Sequence, residues 1–162
     1  MRVGHGFDIH RFTTGDHVIL GGVKIPYPQG ILAHSDGDVV LHALADALLG
    51  AAGLGDIGQH FPPSDPLLKG IDSRLLLKKV VAALLAQGFV VGNVDITVVA
   101  EVPKIGPYRV QMQKNIAKDL TIPLNCVNIK GTTMEGLDAV GQRAGIAAHA
   151  VALILPSNTI TP

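Results

Sequence analysis

Charged side chains are scarce in this sequence: Asp, Glu, Lys and Arg make up 16% of 162 residues, against roughly 25% in an average soluble chain. The 13 basic and 13 acidic residues cancel, so no field of one sign steers the protein onto nucleic acid or an anionic membrane. Any polyanion it handles is small and held locally. There is one cysteine, Cys126, which excludes an intrachain disulfide and a thiolate zinc site and points to a reducing compartment. No apolar stretch follows a basic start, and no Arg- and Ser-rich amphipathic leader is present. The apolar run over residues 144–155 is broken by His149 and is shorter than the ~20 residues a bilayer crossing needs. The expectation is a soluble, cytoplasmic protein with no nucleic-acid or membrane partner.

What is present is apolar. Hydrophobic residues reach 48% and the mean hydropathy is +0.38, which leaves too few polar groups to coat a lone monomer. The length suits a single domain, residues 1–162, with a real core. Residues 3–12 read as a strand, and residues 17–25 as a second one running through Gly21-Gly22, after a turn near Thr14-Gly15-Asp16. Residues 38–49 are the clearest helix, with Ser35 or Asp36 as N-cap and Gly50 or Gly53 near its end. An ordered loop over 54–66 leads to a helix over 73–87. A valine-rich strand spans 89–100, an amphipathic helix 108–120 and a short strand 127–130. Periodicity does not separate strand from buried helix for residues 145–155, and strand is the reading adopted. Strands and helices mix without a strict repeat, and no Gly-x-Gly-x-x-Gly or Walker-type loop occurs, so an α+β fold, a mixed sheet packed against helices, is expected.

Asp8 and His10 lie two apart on the first strand, so their side chains leave the same face. His42 stands among Val39, Val40, Leu41, Ala43 and Leu44, with Asp38 and Asp46 one turn away on either side. One carboxylate and two imidazoles suit Zn²⁺, and three protein ligands leave a fourth position open for catalysis or substrate. Asp38 or Asp46 is then the acceptor for the far nitrogen of His42.

These residues sit within larger blocks: Gly4-His5-Gly6-Phe7-Asp8-Ile9-His10, Ala33-His34-Ser35-Asp36-Gly37-Asp38-Val39 with His42-Ala43, and Gly55-Asp56-Ile57-Gly58 with Phe61-Pro62. Asn93-Val94-Asp95, Glu101-Val102-Pro103-Lys104 and Lys130-Gly131-Thr132-Thr133-Met134-Glu135 follow in order. Together they resemble the 2-C-methyl-D-erythritol 2,4-cyclodiphosphate synthase family over nearly the whole chain. The resemblance implies a homotrimer with a central channel and active sites between subunits. It further implies cyclisation of 4-diphosphocytidyl-2-C-methyl-D-erythritol 2-phosphate to the cyclodiphosphate with release of CMP, on the non-mevalonate route to isoprenoids. Asp8, His10 and His42 would hold zinc, and Glu135 would help hold Mg²⁺ or Mn²⁺ between the α- and β-phosphates. His34 and Thr133 would meet the phosphates in the transition state. Ser35, Asp56 and Gly58, with Ile57, Phe61 and Asp65 in the same loop region, would hold the methylerythritol phosphate. Ala100, Pro103, Lys104, Ile105 and Gly106 would take the cytidine segment, with Lys104 and Thr132 near the phosphates.

The sequence departs from the family pattern at Pro63, at Ile105-Gly106 and over residues 138–145, where Ala139, Gln142 and His149 stand at channel positions the family fills with phenylalanine, arginine and glutamate. Weak binding of isoprenoid diphosphates in the channel is expected, with His149 facing its three-fold relatives or bonded to Gln142 or a backbone carbonyl. Two other functions fit parts of the pattern: a non-catalytic trimeric metal- or isoprenoid-binding protein, and a zinc phosphohydrolase in which water is the nucleophile.

Overall fold

The computed structural model describes residues 1–159. Strand β1 (Arg2–Thr13) alternates, with Gly4 and Gly6 buried and Val3, His5, Phe7 and Ile9 exposed. It pairs antiparallel with β7 (Gly145–Pro156), from Arg2 opposite Ile154 to Arg11 opposite Gly145. On its other side β7 runs antiparallel to β5 (Phe89–Val99), which is parallel to β6 (Val127–Thr132). The short β4 (Gly30–Ile31) closes the far edge, giving the order β4-β1-β7-β5-β6. The sheet is therefore mixed, as expected, and the ambiguous segment 145–155 is its central strand.

Helix α1 (Val39–Ala52) lies directly on β1 and β7. A Cβ on Gly4 would come within 1.9 Å of the Ala47 carbonyl oxygen, and one on Gly6 within 1.9 Å of that of Ala43. Ala43, Ala47 and Ala51 fall on one stripe of α1, so the two glycines and this stripe let backbone meet backbone. The inward side chains Ala148, Ala150 and Ala152 of β7 are small for the same reason. This contact fixes the sliding position of α1, and with it the place of His42 relative to Asp8 and His10, which continue the inward face of β1.

Residues 17–25 differ from expectation. They form not one strand but a hairpin, β2 (His17–Leu20) and β3 (Val23–Pro26), turning at Gly21 and Gly22 with φ of +56° and +69°. Two consecutive positive φ values make the tight two-residue turn that suits a twisted hairpin and that glycine alone adopts without strain. The helix start also differs. Asp38 is the N-cap, its carboxylate accepting the N–H groups of Val40 and Leu41, and Gly53 is the left-handed C-cap. Asp38 also accepts the N–H of Gly21 at 2.9 Å and of Gly22 at 2.6 Å. The carbonyls of the same two glycines accept from Asn115 on α4 (Arg109–Leu120). One buried carboxylate thus joins hairpin and helix.

Between α1 and α4, the segment of residues 53–72 holds the short helix α2 (Ile57–His60), and α3 (Ser73–Ala86) follows with Asp72 as N-cap. Arg74 of α3 grips the buried Asp119 of α4 through two nitrogens, at 2.5 and 2.9 Å. Leu41, Leu44, Leu48 and Leu49 of α1 pack with Leu77, Ile96, Met112, Ile116 and Ile129 in one core, each worth about 1.5–3 kcal/mol on burial. The last helix, α5 (Asp138–Gly141), is a single turn before β7. No helix among the described residues is long and apolar enough to cross a membrane. The face of the sheet away from the helices stays uncovered in the single chain: Val3, Phe7, Ile9 and Val151 are 65%, 47%, 49% and 44% exposed.

Candidate functional site

Asp8 and His10 reach the first turn of α1 from the inward face of β1, as the period of two requires. Asp8 Oδ2 is 3.0 Å from both His10 Nε2 and His42 Nδ1, and the two nitrogens are 3.2 Å apart. This is the described cluster whose ligating atoms all lie close enough for one metal ion. Bonds of about 2.0–2.1 Å at tetrahedral angles put ligand atoms ~3.3 Å apart, so the triangle fits an ion of zinc's size with little movement. Three electron-rich atoms at this spacing repel one another unless protons or a cation lie among them. Burial opposes ionisation of Asp8, but its bonds with His10 and His42 prevail and hold the carboxyl well below the usual range. Burial likewise works against charge on His42, and the bond to Asp8 overcomes it, raising the imidazole above its ordinary value.

The far side of His42 is held differently from expectation. Its Nε2 lies 2.9 Å from Ser73 Oγ and 3.2 Å from Ser35 Oγ. The Ser73 hydroxyl donates to Asp36 Oδ1 at 2.5 Å, so its oxygen is left to accept from His42 Nε2–H; Nδ1 donates to Asp8 when protonated and would offer its lone pair to a metal ion once that proton leaves. Neither Asp38 nor Asp46 does this work. Asp38 is taken up by four backbone N–H groups, and Asp46 accepts the N–H of Ile57 at 2.7 Å. Burial raises the Asp46 carboxyl, partly countered by that bond. Ser73→Ala is expected to weaken zinc binding about 10–100-fold, the usual cost of losing such an outer contact. Competition against a chromophoric chelator measures it, and an unchanged affinity would remove Ser73 from this role.

The triad opens into a cleft of about 310 Å³ lined also by His34, Ser35, Asp46, Ile57, Gly58, Phe61 and Pro63. Asp46 positions the Ile57-Gly58 segment on its wall. Two expected residues do not line it: Asp56 caps α2 through the Gln59 N–H, and Asp65 caps the turn at residues 66–68 through the Leu67 N–H. Asp65 does offer its backbone carbonyl to His34 Nε2, at 3.2 Å.

The other expected residues gather elsewhere. Ala100, Pro103, Lys104, Ile105, Gly106, Thr132 and Thr133 line a second cleft, of about 500 Å³, with Lys130 and Arg109. Three cations and two hydroxyls around one opening suit a phosphorylated ligand. Lys130 also pairs with Asp95, whose carboxyl it holds below the usual range. Glu135 lines neither cleft. It takes a hydrogen bond from Thr133 Oγ1 at 2.7 Å, while Glu101 Oε1 accepts the Met134 N–H at 2.9 Å and shapes the same turn. No residue lines both clefts.

Over residues 138–149, Gln142 Nε2 donates to the Gly136 carbonyl at 2.6 Å, so this amide is spent on the backbone. Among the described residues His149 meets neither Gln142 nor a carbonyl: its Nδ1 is 3.2 Å from His5 Nε2. Ser73, Asp36 and Arg109 were not legible as site residues. Asp36 stood in the block of residues 33–39 and as an N-cap candidate without a site role, and Ser73 was marked only as the start of a helix.

The fold and site define an α+β sheet-and-helix protein with a nitrogen, nitrogen, oxygen triad that could hold a metal ion and a separate cleft with three cationic side chains. The chain belongs to the YgbB family, whose profile matches residues 1–155. It is 60% identical over 157 residues to the 2-C-methyl-D-erythritol 2,4-cyclodiphosphate synthase of Pseudomonas putida, a match that covers 97% of this chain and 100% of the relative. Identity to the enzyme of the same name from Thioalkalivibrio sulfidiphilus is 58% over 154 residues, 95% of this chain and 96% of the relative. Among solved structures, the bifunctional IspDF from Campylobacter jejuni matches with a TM-score of 0.92 at 40% identity, covering 97% of this chain and 43% of that longer one. The CDP complex of IspF from Plasmodium falciparum matches at 0.84 with 37% identity, covering 97% of each chain.

Proposed function

We propose that this chain is a single-domain phosphorus-oxygen lyase of the cytoplasm that converts 4-diphosphocytidyl-2-C-methyl-D-erythritol 2-phosphate to 2-C-methyl-D-erythritol 2,4-cyclodiphosphate and CMP. The observation that carries this reading is the pairing of two clefts of different chemistry: one with the Asp8/His10/His42 triad, the other cationic and rich in backbone groups. Likeness over the full chain to synthases of that name supports it.

The 2-phosphate of the substrate is the nucleophile. Its oxygen forms a bond to the β-phosphorus as the bond from that phosphorus to the α-phosphate oxygen breaks, and CMP leaves with the electron pair. The chain needs no nucleophile of its own, only alignment and stabilisation of charge. Zinc at Asp8, His10 and His42 would polarise a phosphoryl oxygen, and Mg²⁺ or Mn²⁺ near Glu135 would offset charge on the leaving phosphate. His34, at the cleft wall, and Thr133 are the residues assigned to the reacting phosphates. Ser35, Ile57, Gly58 and Phe61 hold the methylerythritol part, with Asp56 and Asp65 keeping that loop in shape. Ala100, Pro103, Ile105 and Gly106 take the cytidine, while Lys104, Arg109 and Thr132 face the diphosphate.

Because the two clefts share no residue, we assign the complete site to a homotrimer in which one chain's triad meets a neighbour's cytidine cleft. The uncovered apolar sheet face around Phe7, Ile9 and Val151 is the interface this assembly needs, and light scattering at the mass of a single chain would refute it. Incubation with the cytidine substrate, followed by phosphorus NMR, tests the reaction. Cyclodiphosphate with CMP is the expected result. A linear phosphate product would instead make the protein a hydrolase, and no turnover would leave a binding protein.

A further inference from the structure

The face of the sheet turned away from the helices carries a second pair of imidazoles. His5 on β1 and His149 on β7 are diagonal neighbours across the antiparallel ladder, since His5 is opposite Val151 and His149 opposite Phe7. Such neighbours are within reach of long side chains, and His5 Nε2 lies 3.2 Å from His149 Nδ1. Alternation along β1 puts this pair on the opposite side of the sheet from Asp8 and His10. The Phe7 ring packs on His149 with centroids 4.7 Å apart and limits its rotation. Among the described residues, neither imidazole has an ion-pair partner or a second hydrogen-bond partner.

We propose that His5 and His149 together chelate a divalent transition-metal cation of the zinc, nickel and copper class, at a site distinct from the Asp8/His10/His42 triad. Two Zn–N bonds of about 2.0–2.1 Å at the tetrahedral angle set their nitrogens ~3.3 Å apart, and the pair already stands at 3.2 Å. Both Cα atoms are held by the ladder, so binding calls for reorientation of the two rings and no movement of the backbone. The donor set decides the class of ion. Imidazole nitrogens without a carboxylate suit borderline cations and not the oxygen-seeking Mg²⁺ or Ca²⁺. In the absence of metal one imidazole N–H donates to the other ring, which uses one lone pair; the ion uses both. Two ligands from one chain make a weak, open site. In the trimer proposed above, whose interface is this face, neighbouring copies of the pair can fill the remaining positions, but the chelate itself lies within one chain.

The test is metal uptake by the intact protein, independent of turnover. Protein equilibrated by dialysis against micromolar zinc is expected to hold the zinc of the triad plus a further amount. His149→Gln and, separately, His5→Gln are expected to lose the further amount and keep the first. His42→Ala is expected to do the reverse, which separates failure of this inference from failure of the triad assignment. The proposal is overturned if wild type binds no zinc beyond the triad, or if either glutamine variant retains the excess.

Discussion

His42→Ala is expected to lose the metal of the Asp8/His10/His42 triad and to reduce turnover by roughly 10³-fold or more, the scale seen when a main electrostatic stabiliser of a transition state is removed. The substitution deletes Nδ1, one corner of a triangle with edges of 3.0, 3.0 and 3.2 Å. It leaves Asp8 and His10 as a two-point site, too few for a stable zinc centre with a position open for substrate. It also leaves the Ser73 hydroxyl and Asp36 with nothing to orient. The fold survives, because His42 packs at the cleft wall while Leu41, Leu44 and Leu48 carry the core contacts of α1. Metal analysis and phosphorus NMR on the purified variant check both parts; one zinc per chain retained by the triad would refute the ligand assignment. A metal ion at the triad would require His42 to give up its Nδ1 proton, and the imidazole's pKa is raised despite burial by its bond to Asp8. Apparent zinc affinity therefore falls as pH drops through that raised value.

The second large effect is on stability. Asp38→Ala is expected to cost about 3 kcal/mol or more, because it leaves four backbone N–H groups, of Gly21, Gly22, Val40 and Leu41, without their acceptor at roughly 1–3 kcal/mol for each that stays buried and unpaired. At this chain length that lowers the melting temperature by roughly 6–12 °C. Burial pushes the Asp38 carboxyl up to about 6, against the bonds from Gly22 and Gly21 that favour its charged form. Since the folded value lies above the unfolded one of 3.8, the native state holds this proton more tightly. The resulting stabilisation is full below pH 3.8, declines between there and about 6, and is absent at neutral pH. Asp38→Asn is expected to fall between wild type and alanine: one oxygen remains for Gly21, Val40 and Leu41, but the amide NH₂ can point at the Gly22 N–H. It should also lose this contribution to the pH dependence. Thermal unfolding between pH 4 and 7 measures both effects, and an alanine variant melting with wild type would show that the hairpin and helix do not depend on this carboxylate.

Much of this was legible along the chain because it depends on short-range geometry. The period of two placed Asp8 and His10 on one face, and helix formers around His42 set an imidazole in an apolar helix. Valine-rich and small apolar runs marked β5 and β7. The hairpin at Gly21-Gly22 was misread because the β-branched and apolar residues on both sides continue without a polar break, and only the two positive φ values reverse the chain.

The sequence by itself determined the long helices and strands, the inward and outward faces of β1 and the chemical types available for a metal site, because each follows from covalent geometry and side-chain periodicity over a few residues. Tertiary structure alone decided which of those groups meet. Gly4 and Gly6 read as a motif in the chain, yet their physical role is to admit the Ala43/Ala47/Ala51 stripe of α1 to backbone contact, which sets His42 opposite Asp8. The bond from His42 to Ser73 spans 31 residues and that from Ser73 to Asp36 spans 37, and His5 meets His149 across 144. Asp38, Asp46 and Asp36 were equivalent acids near one histidine until packing assigned the first to the hairpin and helix cap, the second to the Ile57 N–H and the third to Ser73. Such choices depend on which donors the fold leaves unpaired, a quantity with no local signature, because a buried N–H takes its acceptor from whatever part of the chain is brought beside it.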